Sequence, residues 1–232
     1  MPQKRFCLLT TGRTGSTSLM NALAECVDVL VPGKLFDCPD NELVHPDKVR
    51  DYIDAFAKLS GKGLGGAEEL IDGFFEWDSR ATYVGFKSMP NRHRDYTDFI
   101  RRPDIKFITL TRGDLPATVA SFMTAMRTGS WRRSGGGQTF VWTFREEDRK
   151  LALGNLSYVH ACRRMLSAVP CAIRLSYEQL CDPGFSCAEL DEFFAHPVRI
   201  RNPLPPTDAA EYVTNWPEFS DFIQTALARM GP

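Results

Sequence analysis

The chain has 232 residues, of which 43% are hydrophobic and 25% charged, a composition typical of a globular protein and a length near the upper size of one α/β domain. Its net charge of −1 excludes a bulk attraction to nucleic acid or to an anionic membrane, so any anion site must be built locally. The seven cysteines form no C-x-x-C pair, and the start of the chain is too polar for a signal peptide or membrane anchor. These features predict reduced thiols and a cytoplasmic protein without membrane insertion.

Four apolar runs without alternation predict β-strands covered on both faces, at residues 5–11, 82–87, 105–111 and 170–176. Helical patterns lie between and after them, at residues 16–26, 46–59, 91–100, 114–126, 144–166, 187–194 and 218–230. Strands alternating with helices predict an α/β fold, with a parallel sheet flanked by helices in a single domain over residues 1–232. Ligands of such sheets bind at the carboxyl ends of the strands.

The loop after the first strand, in the stretch LLTTGRTGSTSLMNAL, has the features of an anion site. It lacks the Lys of the G-x-x-x-x-G-K-[ST] phosphate loop, and its only cation is Arg13. Gly12 and Gly15 allow close backbone approach, and the next helix directs free N–H groups at the loop. Further donors are the hydroxyls of Thr14, Ser16, Thr17 and Ser18. The alternative is a plain turn with a Ser or Thr helix cap, which explains one or two of these hydroxyls.

A second anion site is predicted after the third strand. Arg112 ends that strand, and Ser121 lies about two turns into the helix that follows. The alternative is an Arg112–Asp114 ion pair with an unpartnered helical Ser121. Coupled to the first loop on a neighbouring strand, Arg112 and Ser121 indicate a ligand with two separated phosphate groups.

The segments TTGRTGSTSL, GFKSMP, FITLTRGDLPATVASF and RLSYEQL together carry a family likeness. In this order they resemble the sulfotransferases that use 3′-phosphoadenosine-5′-phosphosulfate (PAPS). The carbohydrate-type bacterial branch, of the Nod-factor sulfotransferase kind, is the most similar, and the likeness extends from residue 5 to about residue 220. The resemblance implies a P-loop-like sulfotransferase fold and transfer of a sulfuryl group, without a metal, to a hydroxyl of a glycan or another small-molecule acceptor.

The resemblance also implies individual roles. The first loop corresponds to the 5′-phosphosulfate loop of the family, and Arg112 with Ser121 to the pair that binds the 3′-phosphate, although the spacing here is nine and not the eight of the cytosolic branch. Tyr177 matches a Tyr that contacts the nucleotide, and Lys87 a Lys beside the transferring group in the tyrosylprotein branch. The cofactor-binding set is therefore Arg13, Thr14, Gly15, Ser16, Thr17, Ser18, Arg112, Ser121 and Tyr177.

Two further segments are expected to cover the site. Residues 128–138, TGSWRRSGGGQ, form either a flap or a long solvated loop, and residues 199–232 resemble a segment that closes over the nucleotide. Within the latter, Asn215 stands where some relatives have Lys. The R-K-G motif of the cytosolic enzymes is absent, and its substitutes are Arg199, Arg201 or the pair Arg132–Arg133.

The general base is where the chain departs most from the family. Relatives often have a Glu after the first helix, but Lys34 occupies that position in PGKLFDCPD. Asp37 is the leading candidate, so that Arg13, Lys87 and Asp37 form the predicted catalytic set, and Asp37→Asn is expected to slow turnover at least tenfold. The rivals are Glu42, His45, Glu68 and His93.

Two other functions stay open. A nucleotide or small-molecule kinase would need a phosphate-binding Lys in the first loop and a carboxylate for Mg²⁺ at the end of the second strand, where this chain has Lys87. A non-catalytic nucleotide-binding protein is the other alternative, because Lys34 stands where the resemblance places the Glu that acts as general base. The acceptor surface is expected at residues 34–45, 68–78, 88–96 and 127–142, whose aromatic residues suit either sugar stacking or core packing.

Overall fold

The computed structural model describes residues 2–27, 29–34, 67–76, 81–93, 95–129, 140–201 and 208–231. Within these residues, one sheet of five parallel strands has the order β2-β3-β1-β4-β5. The strands are β1 Lys4–Thr10, β2 Val29–Lys34, β3 Tyr83–Ser88, β4 Ile105–Thr111 and β5 Ile173–Ser176. The predicted α/β class with a parallel sheet flanked by helices is confirmed.

The four predicted strands all exist, and β4 has the predicted bounds. The fifth, β2, was missed because Pro32 and Gly33 interrupt its apolar run. Pro lacks the N–H that a ladder needs, which makes it uncommon within a strand away from the sheet edge. In this sheet β2 lies at an edge, and its register against β3 is irregular between Val31 and Lys34.

The helices are α1 Ser16–Ala24, α2 Ala67–Glu76, α3 Tyr96–Phe99, α4 Leu115–Thr128, α5 Arg149–Ser167, α6 Tyr177–Leu180, α7 Ala188–Phe194 and α8 Trp216–Met230. The helix predicted at 91–100 is wrong for its first half. A 3₁₀ turn at Pro90–Arg92 and an extended His93 precede the short α3. The helix predicted at 46–59 lies outside the described residues.

The two faces of the sheet bury separate apolar clusters because successive side chains of a strand alternate between faces. Phe6 and Leu8 of β1 pack with α1 and α7, whereas Cys7 and Leu9 pack with α2 and the ring of Phe99. A third cluster joins α4, α5 and α8. Helices therefore cover both faces and leave the strand ends as the places where a ligand can enter.

The strand order creates a switch point beside β1. This strand lies between β3 and β4. After β1 the chain runs to β2 at one edge of the sheet, whereas after β4 it runs to β5 at the opposite edge. The loops that follow β1 and β4 therefore diverge and leave a crevice between them, the usual ligand position in open α/β sheets. The predicted adjacency of the two strands that carry the anion sites is confirmed.

Among the described residues, no helix combines the length and the apolar character that crossing a membrane requires. Six of the seven cysteines lie within these residues, and all six are free thiols. Cys38 lies outside them. Burial raises the pKa of the Cys7 thiol well above its usual value, so it remains protonated.

Candidate functional site

The loop after β1 is closed by threonine hydroxyls. Thr10 Oγ1 lies 2.6 Å from Thr14 Oγ1 and 3.0 Å from the carbonyl oxygen of Leu110 on β4, and Thr14 Oγ1 donates to the Thr11 carbonyl at 3.0 Å. Thr10, Thr11 and Thr14 are all buried. The Thr14 hydroxyl thus shapes the loop, and the donor that Thr14 can offer to a ligand is its backbone N–H.

The first turn of α1 is not capped by a side chain. Gly15 is the N-cap residue, with φ of 74°, and no side chain accepts a hydrogen bond from the turn that follows. The alternative of a Ser or Thr cap is therefore wrong, and the first N–H groups of the helix remain directed at the loop. Ser16 and Ser18 are half-buried and Thr17 is exposed, and their hydroxyls bond to none of the described residues. These donors are accessible to an anion.

Arg13 links the first loop to α4. Its backbone is left-handed, with φ of 65°, a conformation that costs a non-glycine residue about 1–3 kcal/mol. The chain can make this turn because Gly12 passes so close to Phe122 that an added Cβ would lie 2.7 Å from the ring. Arg13 Nε then donates to Ser121 Oγ at 2.8 Å. Residues of the two predicted anion sites are therefore in direct contact.

Arg112 lies at the end of β4, buried to 5% exposure under the ring of Tyr177. Its Cζ is 4.4 Å from the ring centroid, a cation–π contact. Its Nε is buried and has no hydrogen-bond partner among the described residues. A buried guanidinium N–H without a partner is costly, and a bound anion would satisfy it.

The predicted alternative for Arg112 is wrong. Arg112 and Asp114 form no ion pair, because the Asp114 carboxylate instead caps α4 and accepts a hydrogen bond from the Ala117 N–H at 2.8 Å. Thr118 Oγ1 also donates to the Asp114 carbonyl, at 2.6 Å. Asp114 therefore holds the start of α4, and with it Ser121, and it does not pair with Arg112.

The short helix α6 holds the backbone next to Arg112, a role that the sequence analysis did not predict. Glu178 Oε1 accepts from the Gly113 N–H at 2.9 Å, so the residue after Arg112 is bonded to the residue after Tyr177. Ser176 and Gln179 form a reciprocal capping box that starts α6. The S-x-x-Q spacing at 176–179 is a known helix-start signal and would have predicted this helix.

Lys87 lies beside the first loop. Its Cα is registered with Leu8 of β1, and Leu8 packs in the same cluster as α1, so Lys87 extends from the α1 face of the sheet. Its side chain is half-buried. On the other side, the register pairs Lys87 with Lys34 of β2. The residue at the position predicted for a general base, Lys34, is thus the sheet neighbour of Lys87.

Most base candidates lie outside the described residues, namely Asp37, Glu42 and His45, together with the side chain of Glu68. His93 is described and is unsuited to proton abstraction. It is 7% exposed, stacks on Phe99 at 3.9 Å, and its Nε2 lies 2.8 Å from Ser88 Oγ. Burial lowers its pKa from 6.5 to about 4. Because the imidazole is weakly basic and packed on Phe99, His93 contributes to the stability of the fold and to its pH dependence.

For three aromatic residues of the expected acceptor surface, the core-packing interpretation is confirmed. Phe74 and Phe75 are fully buried against β3, and Trp142 packs on Phe219. Asp72 pairs with Arg102 at 2.6 Å, just before β4 begins, so it lies toward the amino-terminal edge of the sheet. The flap segment from residue 130 onward and Trp77 lie outside the described residues.

The closing segment forms a structural tie through Asn215. Its side-chain amide pairs with the backbone of Phe144, accepting from the N–H at 2.8 Å and donating to the carbonyl at 2.9 Å. Two backbone bonds between residues 142 and 212–214 flank this pair. Asn215 thus anchors the start of α8.

The two described substitutes for the missing R-K-G motif are engaged elsewhere. Arg199 bonds to Asp191 at 3.3 Å, and Arg201 bonds to Glu25, at the far end of α1 from the anion loop, at 3.0 Å. Arg132 and Arg133 lie outside the described residues.

With this geometry established, the chain was compared with known proteins. No protein-family model matches it, and no curated protein matches it either. Within the described ranges, no group of three His, Cys, Asp or Glu side chains has the arrangement of a metal site.

Proposed function

We propose that the chain is a sulfotransferase that moves a sulfuryl group from PAPS to a hydroxyl of a glycan or another small-molecule acceptor. The observation that carries this proposal is the hydrogen bond from Arg13 Nε to Ser121 Oγ. It joins the loop after β1 to the helix after β4, so the two anion sites share one crevice. A nucleotide with phosphate groups at two separated positions is the ligand that such a crevice fits.

At the 5′ end of the nucleotide, the first-turn N–H groups of α1, the hydroxyls of Ser16–Ser18 and the Arg13 guanidinium would hold the phosphosulfate. Lys87 reaches the same side of the sheet from β3. Helix N–H groups carry partial positive charge, and a guanidinium matches a phosphate edge with two parallel donors.

At the 3′ end, Arg112 and Ser121 would take the second phosphate. The cation–π contact with the ring of Tyr177 orients the guanidinium of Arg112, and its buried Nε has no other partner among the described residues. Glu178 bonds to the backbone of Gly113 instead of to Arg112, so the positive charge stays available. A monophosphate nucleotide such as AMP would leave this half of the crevice empty.

Sulfuryl transfer resembles phosphoryl transfer, because the acceptor oxygen attacks in line as the bridging oxygen to the nucleotide leaves. The protein has to stabilise the negative charge that grows on the leaving oxygen. Arg13, Lys87 and the α1 N–H groups do this from fixed positions, which avoids reorganisation during the reaction. The acceptor proton passes to a base, for which Asp37 is the candidate.

A nucleotide-binding protein without transferase activity is the second candidate, favoured by one observation. The sheet neighbour of Lys87 is Lys34, where a carboxylate base would stand in relatives. If no other group takes the proton, the crevice binds the nucleotide and transfers the sulfuryl group poorly.

A thermal-shift comparison tests the proposal with 3′-phosphoadenosine 5′-phosphate (PAP), AMP and ATP with and without Mg²⁺. A ligand that binds the native state raises stability by mass action, so PAP at about 100 times its Kd should raise Tm on the order of 5–10 °C. AMP and ATP should do little. Arg112→Ala should remove the preference for PAP over AMP, whereas Arg229→Ala, which removes an exposed side chain of α8, should retain it. Equal shifts for PAP and AMP would refute the two-phosphate crevice.

A further inference from the structure

A second positively charged cleft lies at the opposite edge of the sheet, where the strands begin. Its volume is about 450 Å³, and it lies between the start of β1, the turn before β4 and the residues before β5. Since a strand of seven residues rises about 3.3 Å per residue, this cleft is about 20 Å from the loops after β1 and β4. It is therefore separate from the candidate nucleotide site.

The charge of this cleft differs from that of the whole chain. Five cationic side chains and one carboxylate, Asp104, line it, and a second carboxylate, Asp72, pairs with Arg102 from outside the lining, which leaves a formal charge of +3 in a protein of net charge −1. The cationic side chains are Lys4, Arg5, Arg101, Arg102 and Lys106. A concave surface with low-dielectric walls focuses such a field, so the cleft attracts anions more strongly than the same charges would on a convex face.

Two of these cations are held in position by neutral groups. Lys4 Nζ donates to the Phe193 carbonyl at 2.7 Å and lies over the rings of Tyr83 and Phe193. Lys106 Nζ donates to the Cys171 carbonyl at 3.1 Å. Neither ammonium pairs with a carboxylate among the described residues. Their charges are thus oriented but not neutralised, and each ammonium keeps donors for a ligand.

Two of the three arginines of the cleft are held by Asp104, and the third, Arg101, is not. Asp104 accepts from Arg5 at 3.1 Å and from Arg102 at 2.6 Å. Both bonds lower the pKa of Asp104, and the bond from Arg102 has the larger effect. Asp104 therefore stays ionised and keeps both guanidiniums in place. Arg101 is exposed and makes no ion pair with any described residue. Apolar side chains, Ile100 and Phe193 among them, complete the lining.

We propose that this cleft is a binding site for a small organic phosphate or sulfate monoester. The volume falls within the range of about 300–1,000 Å³ that is typical of small-molecule sites. The uncompensated Lys4, Lys106 and Arg101 would hold the dianion, and the apolar lining would contact its organic part. The inference is independent of the proposed function, because none of these residues belongs to the candidate nucleotide site.

Phenyl phosphate is a suitable probe, with binding followed by isothermal titration calorimetry at low salt. The double variant Lys4→Gln/Lys106→Gln should weaken binding at least tenfold, and Arg101→Gln, which removes an exposed side chain, should weaken it several-fold without affecting the fold. The matched control Lys150→Gln/Arg229→Gln removes two exposed charges elsewhere and should change Kd less than twofold. Added salt should weaken binding to the wild type, because it screens the field of the cleft.

The candidate nucleotide site is tested separately with Arg13→Gln/Arg112→Gln, in which the phenyl phosphate binding that depends on Lys4 and Lys106 should persist. If that variant abolishes binding while Arg101→Gln and the Lys4/Lys106 variant retain it, the cleft is not the site. Absence of binding to the wild-type protein at 10 mM probe, a concentration on the order of that needed to detect a millimolar Kd, would also overturn the proposal.

Discussion

Arg13 Nε donates a hydrogen bond to Ser121 Oγ at 2.8 Å, although the two residues are 108 positions apart in the chain. The bond forms because β1 and β4 are adjacent, so the loop after one strand meets the helix after the other. It requires Arg13 to adopt a left-handed backbone and Gly12 to pass against Phe122. This contact defines the crevice on which the proposed function rests.

Removing either partner of this bond should weaken nucleotide binding. A hydrogen bond to a charged group contributes about 1.5–3 kcal/mol, so Ser121→Ala should raise the Kd for PAP on the order of 10–100-fold, and Arg13→Gln at least as much. The measurement is calorimetric titration with PAP. Ser220→Ala, which removes a hydroxyl on α8, serves as the control. Wild-type affinity in Ser121→Ala would mean that Ser121 does not contact the ligand.

Lys87 should affect turnover more than binding. Loss of one preorganised donor to a developing charge typically slows catalysis on the order of 10²–10³-fold, and we expect this for Lys87→Met. The affinity for PAP, which lacks the sulfuryl group, should change less than about tenfold. Single-turnover release of PAP from PAPS, with Lys150→Met as control, measures the effect. Parallel losses of rate and PAP affinity would assign Lys87 to nucleotide binding alone.

Gly12 should tolerate no side chain. In Gly12→Ala, the new Cβ would lie 2.7 Å from Phe122 Cζ, and overpacking of this kind typically costs about 1–3 kcal/mol. Denaturant unfolding measures the loss. Phe122→Leu in the same chain should restore part of it, and Gly154→Ala in α5, where no atom lies within 4 Å, should be neutral or stabilising. If the second substitution restores nothing, the contact with Phe122 is not the cause.

The buried His93 should make the protein sensitive to mild acid. Its pKa is about 4 when folded because burial disfavours the cation, whereas the ordinary value in the unfolded chain is 6.5. As pH falls below 6.5, the unfolded chain binds a proton that the folded protein does not, so stability falls until about pH 4. The total loss is about 3 kcal/mol, most of it between pH 6.5 and 4.5.

The variant His93→Gln isolates this effect. It should be less stable than wild type at pH 7.5, because it loses the stacking on Phe99, but its free energy of unfolding should depend less on pH between 6.5 and 5. Ser88→Ala keeps the buried imidazole and should keep the wild-type slope. Equal slopes for wild type and His93→Gln, from unfolding curves at several pH values, would show that His93 does not titrate as its burial implies.

Asn215 should contribute to stability and not to nucleotide binding. Its amide pairs with both backbone groups of Phe144, so Asn215→Ala should cost about 1–3 kcal/mol by leaving those groups without partners. Asn215→Lys should be destabilising as well, because a lysine side chain cannot accept the hydrogen bond from the Phe144 N–H. Unfolding curves measure stability, and PAP titration provides the second readout. A normal stability with weakened PAP affinity would reverse this assignment.

The strands and the first loop were predictable because their signals are local. Short apolar runs such as residues 105–111 are typical of strands covered on both faces, and the glycines around Arg13 favour a tight turn. Strand β2 was not predicted because Pro32 and Gly33 are compatible with a strand mainly at the edge of a sheet. The sequence does not show which strands lie at an edge. The same limit applied to the start of the helix predicted at 91–100, where the chain instead forms a 3₁₀ turn at Pro90–Arg92 followed by an extended, buried His93.

The amino-acid sequence by itself determined the α/β class, and it marked the loop at residues 12–18 and the pair Arg112 and Ser121 as candidates for anion binding, since each follows from residue type and spacing. Only the tertiary structure decided which donors are accessible. It buried the hydroxyl of Thr14 within the loop, assigned Asp114 to the cap of α4 and brought Arg13 to Ser121. The physical reason is that hydrogen-bond partners are chosen by position in space, and residues far apart in the chain become neighbours only when the order of the strands is set.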